Sequence, residues 1–338
     1  MNEEKMLSIA KADNQVRSEL FQIVSNEMGI PAVIVEKDFW VCYILDFLFN
    51  RSIFKNHLIF KGGTSLSKCY RLINRFSEDI DLILDWGEIG YSNDEPWNER
   101  SNAGQERFKA ETIERTNAYL SEVFVPHVHA ALSSELGFEL KVFPAKEEET
   151  VIIAYPKQFD STATLDVIRL EVGPLAEWTP SESVKIQTYL AEYRPGLIQK
   201  PQFKVNTVKP ERTFWEKATI LHQEANRPPE KLMPLRYSRH YYDMYQLGHS
   251  FVKRIALEDI PLLFKVIAFK DKFYRIPWSH LSEALPGSFR LVPPTFRMKE
   301  LKSDYISMQQ MFIGSYPTLD EIIQYLQELE SEINHIQG

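Results

Sequence analysis

The segment from His57 to Leu84 constrains the fold of this 338-residue chain more than any other. A short apolar run, His57-Leu58-Ile59-Phe60-Lys61, stops at Gly62-Gly63, where the missing side chains let the backbone turn sharply or approach a ligand closely. Leu66 to Ile73 then has helical spacing, with Thr64 or Ser65 in the hydroxyl position that caps a helix start. Glu78 to Leu84 alternates as a strand, so Asp79 and Asp81, two residues apart, share a face. A strand, a glycine turn, a helix and a second strand in so short a stretch demand a sheet with helices packed on it.

The same segment carries chemistry. A helix opened by Gly62-Gly63-Thr64-Ser65 leaves backbone N–H groups at the positive end of its dipole, and the two hydroxyls add neutral donors for an oxyanion. A Gly-Gly turn alone is more often an ordinary tight turn. Asp79-Ile80-Asp81 adds the second half: two carboxylates on one strand face repel unless something positive lies between them, and a hard divalent cation satisfies both. A solvated strand face or an arginine-paired acid patch is the plainer account. A two-metal site also wants a third carboxylate from a neighbouring strand. Glu171, near the end of the apolar run Leu165 to Val172, is the candidate; Asp166 competes, and an ion pair with Arg169 is the structural alternative for Glu171.

Elsewhere the pattern is α/β up to about Gly173 and mostly helical after it. Helices are expected over Leu7 to Met28 and Ala32 to Phe49, separated by Gly29-Ile30-Pro31, and over Phe108 to Leu136 with a break near Pro126. Asp85 to Gln105 reads as a loop. Strands are expected at Phe138 to Phe143, Val151 to Tyr155 and Leu165 to Val172. Later helices fall at Glu211 to Glu224, Ser238 to Leu247, Pro261 to Phe269 and Leu319 to Ile336, the last with a stripe of Ile322, Ile323, Leu326, Leu329 and Ile333. The fold class is α+β: a mixed sheet with flanking helices over 1–173, and a helical domain over 174–338.

Composition excludes several classes. With 44% hydrophobic residues the chain buries a real core and is not disordered. The start, Met1-Asn2-Glu3-Glu4-Lys5, lacks the basic and apolar regions of a secretory signal, and the most apolar stretch, Trp40 to Phe49, is too short to span a bilayer. Both features lead us to expect a cytoplasmic protein without a membrane partner. Cys42 and Cys69 lie in apolar helical patterns and read as reduced thiols. The net charge of −8 argues against indiscriminate nucleic-acid binding, yet Lys200 to Lys302 holds 19 of the 39 Lys+Arg against 10 of the 47 Asp+Glu. A local basic surface is compatible with that excess, as are scattered solvated helix faces.

The run Phe60-Lys61-Gly62-Gly63-Thr64-Ser65-Leu66-Ser67-Lys68, followed by Arg75-Phe76-Ser77-Glu78-Asp79-Ile80-Asp81-Leu82, closely resembles the first motif of the AbiEii/AbiGii toxin family of nucleotidyltransferases, within the DNA polymerase β-like superfamily. Glu211-Arg212-Thr213-Phe214-Trp215-Glu216-Lys217-Ala218 and Arg239-His240-Tyr241-Tyr242-Asp243-Met244-Tyr245 resemble later motifs. The resemblance runs from about Glu36 to Leu247, and nothing after His249 adds to it. It implies a polymerase β-like core, metal binding by Asp79 and Asp81, phosphate binding by Gly63 with Ser65, and a phosphate contact by Lys217 that Asp243 completes. A lysine on a helix offers a point charge for a triphosphate, though a lysine paired with Glu216 or Asp243 is an equally ordinary surface feature.

The expected activity is transfer of a nucleoside monophosphate from an NTP to a hydroxyl acceptor with Mg²⁺ or Mn²⁺. Catalysis and metal binding would fall to Asp79, Asp81 and Glu171, with Lys217 and Asp243 supplied by the second domain, and nucleotide binding to Gly62, Gly63, Thr64, Ser65 and Lys217. By resemblance the protein is the toxin of a bacterial type IV toxin–antitoxin or abortive-infection pair active in phage defence. The tRNA 3′ end is the expected acceptor, and a cognate antitoxin is encoded nearby, acting with or without direct contact. Two rivals stand beside this: nucleotidylation of a small molecule or protein side chain, and a non-catalytic nucleotide-binding module. Glu36, His222 and His240 are secondary candidates.

Overall fold

The computed structural model describes residues 3–77, 79–160, 165–198 and 201–336. Glu78, expected to start the second strand, lies outside the described residues. The chain divides into two compact units, the first comprising 1–69 and 76–208 and the second 70–75 and 209–338.

The first unit begins with helices α1 (Glu3–Lys11), α2 (Asn14–Met28) and α3 (Ala32–Asp46). The single helix expected over Leu7 to Met28 is two, because Asp13 takes an extended conformation and accepts a hydrogen bond from the Val16 N–H, capping α2. Gly29 ends α2 with φ +65, a left-handed cap that glycine adopts without penalty. Strand β1 (Leu58–Lys61) runs into α4 (Gly62–Lys68), and β2 (Asp79–Leu84) follows. Helices α5 (Asn102–Tyr119) and α6 (Val125–Leu136) are joined by a π-helical turn at Leu120–Phe124 that absorbs the break expected at Pro126. Then come β3 (Lys141–Pro144), β4 (Thr150–Ala154), β5 (Ile168–Gly173), β6 (Ser181–Ile186), the short α7 (Tyr189–Tyr193) and β7 (Phe203–Val208).

The seven strands form one mixed sheet in the order β3-β4-β5-β2-β1-β7-β6. β2 pairs antiparallel with β1 and parallel with β5, and so lies at its centre. The first unit therefore extends to Val208 and not to Gly173. The two strands missed by sequence, β6 and β7, are rich in lysine and polar residues because each turns one face to solvent, which hides them among the loops. On one face Ile59, Ile83 and Val208 pack together, with Ala176 and Trp178 against them. Cys42 and Cys69 are free thiols.

The second unit is helical, as expected: α8 (Pro210–Ala225), α9 (Ser238–Gly248), α10 (Phe251–Glu258), α11 (Ile260–Phe273), α12 (Met298–Ser307) and α13 (Leu319–Asn334). α13 opens with a capping box between Thr318 and Glu321 and buries Ile322, Leu326, Leu329 and Ile333. The segment 70–75 joins this unit through a bridge between Arg75 and Phe312 and a hydrogen bond from Ile313 N–H to the Asn74 carbonyl. No helix among the described residues is long and apolar enough to cross a membrane.

Candidate functional site

In the first unit, strand register decides which side chains meet. Asp81 lies directly opposite Lys61 on β1 and Glu171 on β5, and Asp79 lies opposite Arg169. Because side chains alternate, Lys61, Asp79, Asp81, Arg169 and Glu171 all stand on one face of the central strands. Thr150 of β4 pairs with Glu171 and extends the row. Farther along the same face come Ile59 and Ile83, so the acidic patch ends where the apolar cluster begins.

Asp81 and Glu171 are direct cross-strand partners, so their carboxyls stand side by side on this face. Desolvation is the main cause of a raised Asp81 pKa; Lys61 opposes it, while the charges of Glu171 and Asp79 add to it, and the carboxyl is pushed up to about 7. Arg169 reaches toward Asp79 at 3.7 Å, Glu147 at 3.6 Å and Glu171 at 4.0 Å, at the long end of ion pairing in each case. The Arg169–Glu171 ion pair considered from sequence therefore exists in loose form, divided among three acids. Asp166 precedes β5 and pairs with the exposed Lys157, away from this row.

Gly62 is the seat of Asp81. A Cβ built there would lie 1.8 Å from Asp81 Oδ2, and φ is +81, so only glycine permits this close approach. Helix α4 begins at Gly62, two residues ahead of the expected caps, and ends at Lys68. Thr64 and Ser65 are buried inside it, and their hydroxyls donate to the carbonyls of Asp79 and Gly62. The Thr64 proton fastens α4 to β2, and the Ser65 proton closes the first turn of α4 on itself. The backbone N–H groups at the start of α4 are further donors of this turn. Gly63 lies in the first turn of the same helix.

Glu149 was not anticipated. Its carboxyl sits against Gly173, where a Cβ would be 2.5 Å from Glu149 Oε1. Burial, with the neighbouring Glu148, pushes it up to about 7. Its place in the run Glu147-Glu148-Glu149 disguised it as part of a solvated acidic turn.

The donor set of Asp79, Asp81 and Glu171 is chemically suited to a hard divalent cation: oxygen ligands on adjacent strands, with Asp81 and Glu171 directly opposite one another. As placed, no three His, Cys, Asp or Glu side chains among the described residues converge on one metal position. Asp79 leans toward Arg169, and the fit rests on Asp81 and Glu171.

The second unit holds Lys217 on α8 and Asp243 on α9. Asp243 is fully buried; Arg75 donates to both its oxygens, at 2.7 and 2.8 Å, and Lys217 Nζ lies 2.7 Å from Oδ2. Burial alone would raise this carboxyl, but Arg75 and Lys217 outweigh it and hold it well below the usual range. Lys217 pairs with Asp243 and not with Glu216, which goes to Arg212. Arg75 was missed as a member of this cluster: it lies in the first motif but 168 residues from its partner, and nothing local marks the pairing.

Of the secondary candidates, His222 is structural, with Nε2 3.0 Å from the His280 carbonyl and Nδ1 accepting the Arg290 N–H. Glu36 accepts the Gln158 and Phe159 N–H groups and braces the chain there.

A family model described as nucleotidyl transferase AbiEii toxin, type IV TA system, matches residues 46–326. The chain belongs to this family. It is accordingly a nucleotidyltransferase of the AbiEii toxin type, the toxin side of a type IV toxin–antitoxin system. The match extends well beyond His249, so α10 to α13 belong to the AbiEii architecture, contrary to the sequence expectation. Among solved structures the chain is similar to MenT4, a nucleotidyltransferase toxin from Mycobacterium tuberculosis H37Rv, with 15% identity, a TM-score of 0.51, and coverage of 94% of this chain and 90% of that one. No curated protein matches the chain.

Proposed function

We propose that this AbiEii-family enzyme moves a nucleoside monophosphate from an NTP to a hydroxyl acceptor at the acidic row of β2 and β5, with the tRNA 3′ end as acceptor and the cytoplasm as its place of action. The observation that carries this reading is the register that sets Asp81 beside Glu171, with Asp81 seated on Gly62. Acids crowded on one strand face are a site built for a positive charge. Asp79, Asp81 and Glu171 would hold Mg²⁺ or Mn²⁺. When bound, the cation neutralises charge developing on the phosphates.

The chain's own residues do the rest. In the transfer, the acceptor oxygen forms a bond to the α-phosphorus, the bond to the bridging oxygen breaks, and pyrophosphate leaves with that electron pair. Glu171, the acid standing beside Asp81 on the neighbouring strand, takes the hydroxyl proton. The glycine-opened start of α4 offers backbone N–H donors to phosphate oxygens, and the missing side chain at Gly62 lets the substrate approach Asp81. In the second unit Lys217, held by Asp243, is a fixed positive charge suited to a phosphate oxygen.

Incubation of the purified protein with each α-labelled NTP, Mg²⁺ and total tRNA tests this. Label should enter tRNA and disappear when Asp79→Ala and Asp81→Ala are combined. No incorporation, or incorporation undiminished in the double variant, overturns the proposal, and label on a small molecule or protein instead reassigns the acceptor.

A further inference from the structure

His240 and Asp243 lie three residues apart on α9 and so share a face. The acid on this face has all the donors it needs from Arg75 and Lys217. The donors around it are in surplus. Lys217 is 7% exposed and uses one of its three N–H groups on Asp243, with no second acceptor among the described residues. His240 is 8% exposed, its Nδ1 is buried without a hydrogen-bond partner, and the Tyr237 ring braces the imidazole edge-on at 4.8 Å. The guanidinium of Arg239, half-buried beside them, has no acceptor among the described residues.

A buried polar atom without a partner is costly, and here Arg239 and His240 on α9 and Lys217 on α8 share the deficit. Two cations on one carboxylate also leave the cluster with excess positive charge. Burial, reinforced by Lys217 and Arg239, keeps the imidazole neutral, so it brings an N–H without a further cation. Surplus donors with net positive charge are complementary to an anion bearing several acceptor oxygens.

We propose that His240 belongs to an anion seat on the second unit, its imidazole N–H donating, alongside Lys217, to a phosphate oxygen. The identity of the anion as phosphate rests on the nucleotidyl-transfer reading; the presence of an anion seat does not. Tyr237 keeps the ring at the required angle, and Asp243 keeps Lys217 from swinging away.

Inorganic tripolyphosphate, without metal, is the probe. Calorimetric titration should show binding to the full-length protein, weakened at least about fivefold in His240→Phe, where ring shape is kept and the donor lost, and restored to within about twofold in His240→Gln, which regains an N–H. The ¹⁵N resonances of the His240 imidazole should shift on adding tripolyphosphate, a response that a packing role would not give. No binding by the wild type, equal binding by His240→Phe, or unmoved imidazole resonances would overturn the inference. If His240→Phe binds normally while Asp81→Asn abolishes nucleotidyl transfer, this inference fails and the wider reading stands. If Asp81→Asn still transfers, the wider reading fails, and the tripolyphosphate titration still decides whether His240 faces an anion.

Discussion

The acidic row on the sheet and the ion cluster on α8 and α9 solve opposite electrostatic problems. Around Asp81, carboxylates outnumber the nearby cations, and burial with the charges of Glu171 and Asp79 raises its pKa. Around Asp243, two cations converge on a single fully buried acid. A charge that is paired and hydrogen-bonded on all sides holds its neighbours in place, whereas a charge in like company is a binding site waiting for its counter-ion. The first unit thus crowds acids on one strand face and the second surrounds one buried acid with cations, and substitutions at the two should behave differently.

The largest separation is expected in activity. Asp81→Asn should reduce nucleotidyl transfer roughly 10³-fold while leaving the fold at least as stable, because it removes a repelled, desolvated charge; label incorporation and thermal unfolding measured on the same sample check both halves. Asp243→Ala should do the reverse to stability, lowering it by about 3–5 kcal/mol, since Arg75 and Lys217 are left buried without their partner. Chemical denaturation reads this directly, and a loss under about 1 kcal/mol would mean that Arg75 and Lys217 do not depend on this carboxylate. Gly62→Ala should cost about 1–3 kcal/mol, from φ +81 and the clash with Asp81. It should also lower transfer, whereas Gly29→Ala, with open space around its Cβ, should leave transfer unchanged.

The smallest and most diagnostic effect is the sign of the pH dependence. Asp81 keeps its proton up to about pH 7 in the fold but only to its ordinary 3.8 when unfolded, so its contribution to stability falls as pH rises between those values. Asp243 is depressed, so its contribution is complete above its ordinary value of 3.8 and is lost as pH falls below it. Unfolding midpoints across pH should show Asp81→Asn removing a decline between about pH 4 and 7, with acid lability persisting until Asp243 is replaced.

These contrasts also explain what the sequence disclosed. Asp79, Asp81 and Glu171 were legible because strand periodicity is two, and a pair of acids on one face is readable without knowing the partner strand. The direct pairing of Asp81 with Glu171 follows from register, which the apolar runs of β2 and β5 set together. Thr64 and Ser65 were recognised as residues of this turn, but the bond from Thr64 to the Asp79 carbonyl was not legible, since it depends on β2 lying alongside. Arg75 and Glu149 escaped notice for different reasons. Arg75 finds its acid 168 positions away, and Glu149 is singled out from its acidic neighbours only by its seat on Gly173. β6 and β7 were lost among polar residues because one face of each meets water. Lys217 and Asp243 were named through family resemblance; their shared burial is a property of packed helices that no local pattern announces.

A Mn²⁺ titration followed by electron paramagnetic resonance, comparing the wild type with Asp81→Asn combined with Glu171→Gln, goes to the centre of this view. The wild type should bind Mn²⁺, and the double variant should bind it at least about tenfold more weakly. Equal Mn²⁺ binding by the two proteins would show that the acids of β2 and β5 are not where the cation is held.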